Sequence, residues 1–319
     1  MITVKITGEN PNWPLTRQTP GSQGLWGDCR FVVNEEIDEC DYWVVYDGLQ
    51  KPESVWCPPQ NTILFTAEPP SVRSYGPRFT AQFARVVTCH PKIRHPQVIH
   101  DQQALPWHLL TKTYDDLAAE PGPAKTKTLS VISSDKAFTE GHRQRVEFVE
   151  RLTRCLGGDL DHVGKGTRVP NKWDGLADYQ YTVVIENSSF RDYWTEKLAD
   201  AFLTESYPFY YGCPNIGDYF PEKSYTWIDI GHFEAALETI VSTIKKNEYE
   251  ATVEERASAK DLTLNKYNLF PTVAAMTSAA GARLPKERVR LLPDAVISDT
   301  LLRRTKRWVK KRIVDRQAP

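Results

Sequence analysis

The strongest constraint on the fold is an alternation in the second half of the chain. Apolar runs of strand length stand at 129–133, 181–185, 207–211 and 225–228, and the stretches between several of them carry helical spacing. Within 141–156, Val146, Val149, Leu152 and Leu156 fall on one stripe, and Gly157-Gly158 stops the helix. Helices are also predicted over 195–204 and 232–247. Strand and helix in turn imply a parallel sheet of the doubly wound type, which takes ligands at the carboxyl ends of its strands. No GxGxxG or Walker loop is present, so a nucleotide has to be held in another way.

The first half is predicted to be a second α/β sheet. Strands are expected at 2–6, 30–33, 42–46, 62–66 and 85–88, with long loops rich in Pro, Gly and Trp between them. Long loops in a compact domain are often binding loops. A linker is expected over 118–128, where Glu120-Pro121-Gly122-Pro123 breaks both periodicities. The 319 residues suffice for two domains with a core each. The chain is therefore divided into an N-terminal domain, 1–122, a C-terminal domain, 123–270, and a tail, 271–319. In the tail, Arg303, Arg304, Lys306, Arg307, Lys310, Lys311, Arg312 and Arg316 face a single acid, Asp315, and Leu302, Trp308, Val309 and Ile313 share a helix side. Such a helix suits peripheral contact with an anionic membrane surface, and equally a solvated helix closing the domain.

Bulk properties exclude several classes. With a net charge of -1, the chain as a whole is not expected to bind nucleic acid. The six cysteines contain no CxxC pair, which argues against zinc and thioredoxin-type sites and favours reduced thiols. His90, His95 and His100 recur every five residues, a poor spacing for one helix face, so no metal and no cofactor are expected. The start, Met1-Ile2-Thr3-Val4-Lys5, reads as a strand, and no apolar run reaches membrane-spanning length, which points to a cytoplasmic protein.

The most informative segment is 184–198. A buried strand ends at Ile185, a polar loop follows, and Thr195 caps a helix whose first turn holds Glu196 and Lys197. Free N–H groups and a lysine at a helix start suit a diphosphate, and a carboxylate there suits ribose hydroxyls. A surface capping box is the plainer alternative.

The stretch IENSSFRDYWTEKLADAFLTESYPFYYGCPNIGDYFP resembles the signature of the α1,3/4-fucosyltransferases, glycosyltransferase family 10. Upstream, Val131-Ile132-Ser133-Ser134 resembles the family's VVSN strand end. Arg145, Phe148, Val149 and Leu152 resemble its RxxYYxxL helix, and Gly164 fits a Tyr-Gly position. The resemblance is good over about 129–230 and thin elsewhere. It implies Arg145 and Lys197 as diphosphate ligands, Glu196 as a ribose ligand, and Asn187, Ser188 and Tyr193 against the donor. It also implies that the diphosphate is neutralised by side chains in place of a metal ion.

In the first half, Glu68-Pro69-Pro70-Ser71 follows a strand and resembles the family segment that carries the proposed base. The resemblance makes Glu68 that base; by itself it would read as a solvated loop carboxylate. Ala104-Leu105-Pro106-Trp107 resembles a Val-Pro-Tyr-Gly stretch, whereas Thr88-Cys89-His90-Pro91-Lys92 departs from the Tyr-Arg-x-Asp-Ser of animal members. That departure bears on the acceptor. The resemblance thus implies GT-B architecture, two facing Rossmann-like domains with parallel sheets. It implies inverting, metal-independent transfer of L-fucose from GDP-fucose to a glycan hydroxyl. A transferase for another GDP-sugar and a non-catalytic sugar-nucleotide-binding protein are the alternatives.

Overall fold

The structure, a computed structural model, describes residues 1–8, 10, 12–119, 122–135, 137–164 and 171–297. The basic segment 302–316 lies outside the described residues, as do Glu120 and Pro121 of the expected linker.

Two sheets organise the chain. The first contains β1 (Ile2–Gly8), β2 (Leu25–Trp26), β3 (Cys29–Val33) and β4 (Tyr42–Tyr46). After a separate strand, β5 (Glu53–Cys57), it continues with β6 (Thr62–Phe65), β7 (Arg85–Thr88) and β8 (Val98–His100). Its order is β2-β3-β1-β4-β6-β7-β8, parallel except for the β2–β3 pair. The second contains β9 (Lys127–Ile132), β10 (Asp161–Val163), β11 (Tyr179–Ile185), β12 (Tyr207–Tyr211) and β13 (Thr226–Trp227). It is parallel throughout, in the order β10-β9-β11-β12-β13.

In the second sheet the chain leaves β9 toward β10 and then returns to β11 on the other side. The carboxyl ends of β9 and β11 therefore open a crevice at the point where the winding reverses. The strands read as continuous apolar runs because both faces are covered. Val131, Val183, Phe209 and Leu129 pack under the helices Glu140–Leu156 and Phe233–Lys245. On the other face, Leu198, Phe202 and Leu203 of the helix Glu196–Leu203 join Val184, Tyr210 and Ala259.

The helix Glu140–Leu156 buries His142, Arg145, Phe148, Val149 and Leu152, whereas Val146 and Leu156 of the predicted stripe are half-buried. Its buried face is thus rotated so that Arg145 looks along the sheet toward the crevice end. Gly157 ends it with a φ of 55°, donating its N–H to Thr153 O.

After the helix Val253–Asn265 the chain returns to the first sheet. Leu269, Phe270 and Val273 of the helix Leu269–Ala275 pack with Val4, Ile6, Phe31 and Phe65. Further on, β14 (Glu287–Leu291) pairs antiparallel with β5. No described helix is long and apolar enough to cross a membrane. The six cysteines are free thiols, five of them buried.

Candidate active site

The crevice holds a cavity of about 1350 Å³. Glu68 and Val72 line it from the first sheet; Arg145, Asn187, Glu196 and Lys197 line it from the second. Lys172, His108 and Asp200 add to its polar wall, as do Ser133, Asp135 and His142. Five of the seven residues proposed from sequence thus line one space. Ser188 and Tyr193 are buried beside it and are not among its described lining residues.

The helix start at Glu196 is built on a buried carboxylate. Thr195 caps the helix, its hydroxyl accepting from Lys197 N at 3.3 Å. That hydroxyl in turn donates to Glu186, whose Oε2 is 2.7 Å away, and Thr195 N donates to Glu186 Oε1 at 2.8 Å. Glu186 is 1% exposed. Burial pushes its carboxyl up, against the nearby Lys197 ammonium. Gly212 gives it room, since a Cβ there would stand 2.5 Å from Glu186 Cγ.

Glu196 is gripped on one oxygen. Its Oε1 lies 3.3 Å from Lys172 Nζ, 3.4 Å from Lys197 Nζ and 3.8 Å from His108 Nδ1. Burial opposes its ionisation, but Lys197, Lys172 and His108 outweigh that and hold it well below the usual carboxylate range. Lys172 also reaches Asp200 Oδ2 at 2.9 Å, and Asp200 Oδ1 accepts from His108 N at 2.8 Å. Burial works against the charge of Lys197 as well, yet the Glu196 and Glu186 carboxylates raise it above the ordinary lysine value. The arrangement keeps one carboxylate and two ammonium groups ionised and fixed at a helix N-terminus.

Arg145 reaches the same space from the helix Glu140–Leu156. Its guanidinium donates to Asn187 Oδ1 at 2.5 Å and to Ser134 O at 3.0 Å, tying the loop after β9 to the loop after β11. Gly141 allows that closeness, because a Cβ there would lie 2.0 Å from Asn187 O.

Glu68 stands opposite. Its loop touches the second half directly, through the hydroxyls of Ser71 and Ser188 at 2.5 Å. Burial and the charge of Asp47 push the Glu68 carboxyl up, and Lys197 partly opposes them. The histidines at 90 and 95 serve their own loops: His90 Nε2 meets Glu68 O at 2.7 Å and His95 Nε2 meets Phe83 O at 3.0 Å. Among the described residues no His, Cys, Asp and Glu side chains cluster in a way that could hold a metal ion.

Sequence reasoning did not find Lys172, His108, Asp200 or Glu186 as site residues. Glu186 and Asp200 lie inside the motif-bearing segment and were legible as buried acids flanking its cations. Lys172 sits on a single 3-10 turn, Lys172–Gly175, with no periodicity to mark it.

Two mainly parallel sheets with an anion-suited helix start at their crevice give the chain GT-B architecture. Residues 122–252, about two fifths of the chain, match the family model described as glycosyltransferase family 10 (fucosyltransferase) C-term. The alpha-(1,3)-fucosyltransferase FucT of Helicobacter pylori is 27% identical over 142 residues, which are 42% of this chain and 29% of that protein. The chain thus aligns with about three tenths of this relative's length. A crystal structure of an alpha1,3-fucosyltransferase with GDP shares the fold at a TM-score of 0.50 and 16% identity, covering 88% of this chain and 92% of that one. A second alpha1,3-fucosyltransferase structure matches at a TM-score of 0.50 and 15% identity, over 80% of each chain.

Proposed function

We propose that this chain transfers L-fucose from GDP-fucose to a hydroxyl of a glycan acceptor, with inversion and without a metal ion. One observation carries the reading: Glu68 and the Glu196-Lys197 pair, from opposite sheets, line a single cavity. The 1–122 part presents the acceptor side and the 123–270 part the donor side.

In this reading the diphosphate lies at the start of the helix Glu196–Leu203, against Lys197 and Arg145. Glu196, held on Oε1, offers its other oxygen to the ribose hydroxyls. Asn187 borders the sugar end; Ser188 and Tyr193 back the loop that carries it. Glu68 takes the proton of the acceptor hydroxyl as that oxygen attacks the anomeric carbon, and the GDP leaves on the opposite face. Negative charge grows on the leaving diphosphate, so cations fixed in advance stabilise the transition state more than the ground state. Preorganised groups of this kind are worth roughly 3–4 kcal/mol each.

The test is GDP release from GDP-fucose, with and without a chelator, against a panel of galactosyl- and N-acetylglucosaminyl-terminated oligosaccharides. Acceptor-dependent release that survives chelation supports the reading. Release only from another GDP-sugar, or binding without release, overturns it.

A further inference from the structure

The base loop is braced by side chains to which the proposed transfer chemistry assigns no step. Asp47 stands at the carboxyl end of β4, and its N–H donates to Phe65 O at 2.8 Å where the neighbouring β6 ends. Its φ of 68° is left-handed, a conformation that asparagine and aspartate tolerate better than most residues. From there its carboxylate collects three donors of the Glu68 loop. Oδ1 accepts from Ala67 N at 3.3 Å and from the Tyr75 hydroxyl, and Oδ2 accepts from Arg73 at 2.7 Å. The Tyr75 oxygen is in turn 3.4 Å from Glu68 N, which donates to it. On the other side, Glu68 O faces His90 Nε2. A carbonyl only accepts, so the His90 proton sits on Nε2, and burial keeps that ring neutral.

Glu68 is therefore held at both ends of its peptide while its carboxyl remains half-exposed to the cavity. Asp47 and, across the cavity, Glu196 face it with like charge; Lys197 and Arg73 face it with opposite charge. The Tyr46, Tyr75, Tyr193 and His90 rings also stand near it and are neutral at pH 7. A neighbouring carboxylate makes a carboxylate more basic, and a cation paired to that neighbour weakens the effect.

We propose that Asp47 is a positioning residue for Glu68: it fixes the base loop and makes Glu68 a stronger base, while Arg73 sets how much of Asp47's charge Glu68 feels. The inference rests on the reading of Glu68 as the base. A base works best when its proton affinity approaches the working pH, and a bare surface glutamate is too weak for that.

The test is the pH profile of kcat/KM for GDP-fucose with the best acceptor of the panel, in the full chain. Asp47→Asn is expected to move the acid limb down by about one pH unit, and Arg73→Gln to move it up. A merely structural role would lower activity at every pH and leave the limb in place. Limbs that stay in place, or move the same way in both variants, overturn the inference. If Asp47→Asn does not fold, Asp47→Ser, which removes the charge and keeps an oxygen that can accept from the loop, takes its place, and a limb that stays in place in that variant overturns the proposal. Glu68→Gln separates the two levels. Full turnover in that variant removes the base assignment itself, whereas a dead Glu68→Gln with unmoved limbs in the other two removes only the role of Asp47.

Discussion

Lys197 Nζ stands 3.3 Å from Glu186 Oε2, and the Glu186 side chain has no exposed surface. The cation expected to meet a diphosphate is thus also the counter-ion of a buried acid. Removing it has two consequences that separate experimentally. Lys197→Ala takes a charge from the donor site and leaves Glu186 uncompensated in the interior. Breaking a buried pair by removing one partner costs about 3–5 kcal/mol. We expect Lys197→Ala to lose GDP binding by calorimetry and to melt several degrees lower. The double variant Lys197→Ala with Glu186→Gln is expected to regain stability without regaining GDP affinity. Recovery of both would place the diphosphate elsewhere.

Glu68→Gln should leave GDP affinity near that of the unmodified protein while turnover falls by about 10²–10⁴. The carboxyl is replaced by an amide of the same shape, and the brace on its backbone is untouched, since Tyr75 and His90 bond only the Glu68 N and O. Titration calorimetry with GDP and a GDP-release assay check the two halves. Turnover within threefold of the unmodified protein would remove Glu68 from the chemistry.

Much of this site is legible in the sequence, for a physical reason. The second sheet has apolar strands covered on both faces and a capped helix after β11, so composition and period place Thr195, Glu196 and Lys197 at its mouth. The strands at 2–6, 42–46 and 62–66 are legible in the same way. What sequence does not reveal are elements whose residues are chosen by tertiary contact. β5 and β14 form a ribbon whose partners are some 230 residues apart in the chain, as in the pair Val55–Val289. Nothing in the spacing of Leu269, Phe270 and Val273 says that they pack under the first sheet, and the domain boundary expected from sequence at 270 falls between them. Lys172 and His108 converge on Glu196 from separate irregular segments, and only the fold shows it.

Lys172 has a test of its own. It spans Glu196 and Asp200, and the Asp200 side chain is 1% exposed. Lys172→Met keeps most of the volume and removes the charge. We expect a loss of about 3 kcal/mol in unfolding free energy, because Asp200 retains a buried charge with no lysine beside it. We also expect weaker GDP binding, because Glu196 loses one of the cations that orient it. Denaturant unfolding and calorimetry read these two effects. Unchanged stability would mean that Asp200 finds another partner.

Glu196 sets the pH range over which the donor wall holds its shape. Its folded pKa is depressed relative to the unfolded chain, so its ionisation contributes stability above about pH 4.5, the ordinary glutamate range. That contribution is lost as pH falls from the unfolded value through the folded one. Glu196→Gln is therefore expected to lower the melting temperature at pH 7, with the gap to the unmodified protein narrowing as pH falls below about 4.5. Thermal melts of both proteins between pH 3 and 7 measure it. A gap that stays constant, or widens toward acid, would mean that Lys172, Lys197 and His108 do not stabilise the ionised carboxylate.

Gly141 links helix packing to the donor loop. A Cβ at this position would stand 2.0 Å from Asn187 O, and the obstacle is backbone, which cannot rotate aside as a side chain does. In Gly141→Ala the first turn of the helix Glu140–Leu156 must move away from the loop after β11. Arg145 rides on that helix, and its 2.5 Å contact with Asn187 Oδ1 is what joins the two. Elsewhere in a helix interior the same change stabilises by about 0.5–1 kcal/mol, through propensity alone. Here the sign is expected to reverse, with a lower melting temperature and weaker GDP binding together. Gly158→Ala, where a Cβ meets nothing within 4 Å, is the control and should leave both unchanged. If Gly141→Ala were as stable as the unmodified protein and bound GDP equally well, the close approach of this helix to Asn187 would not govern the donor wall.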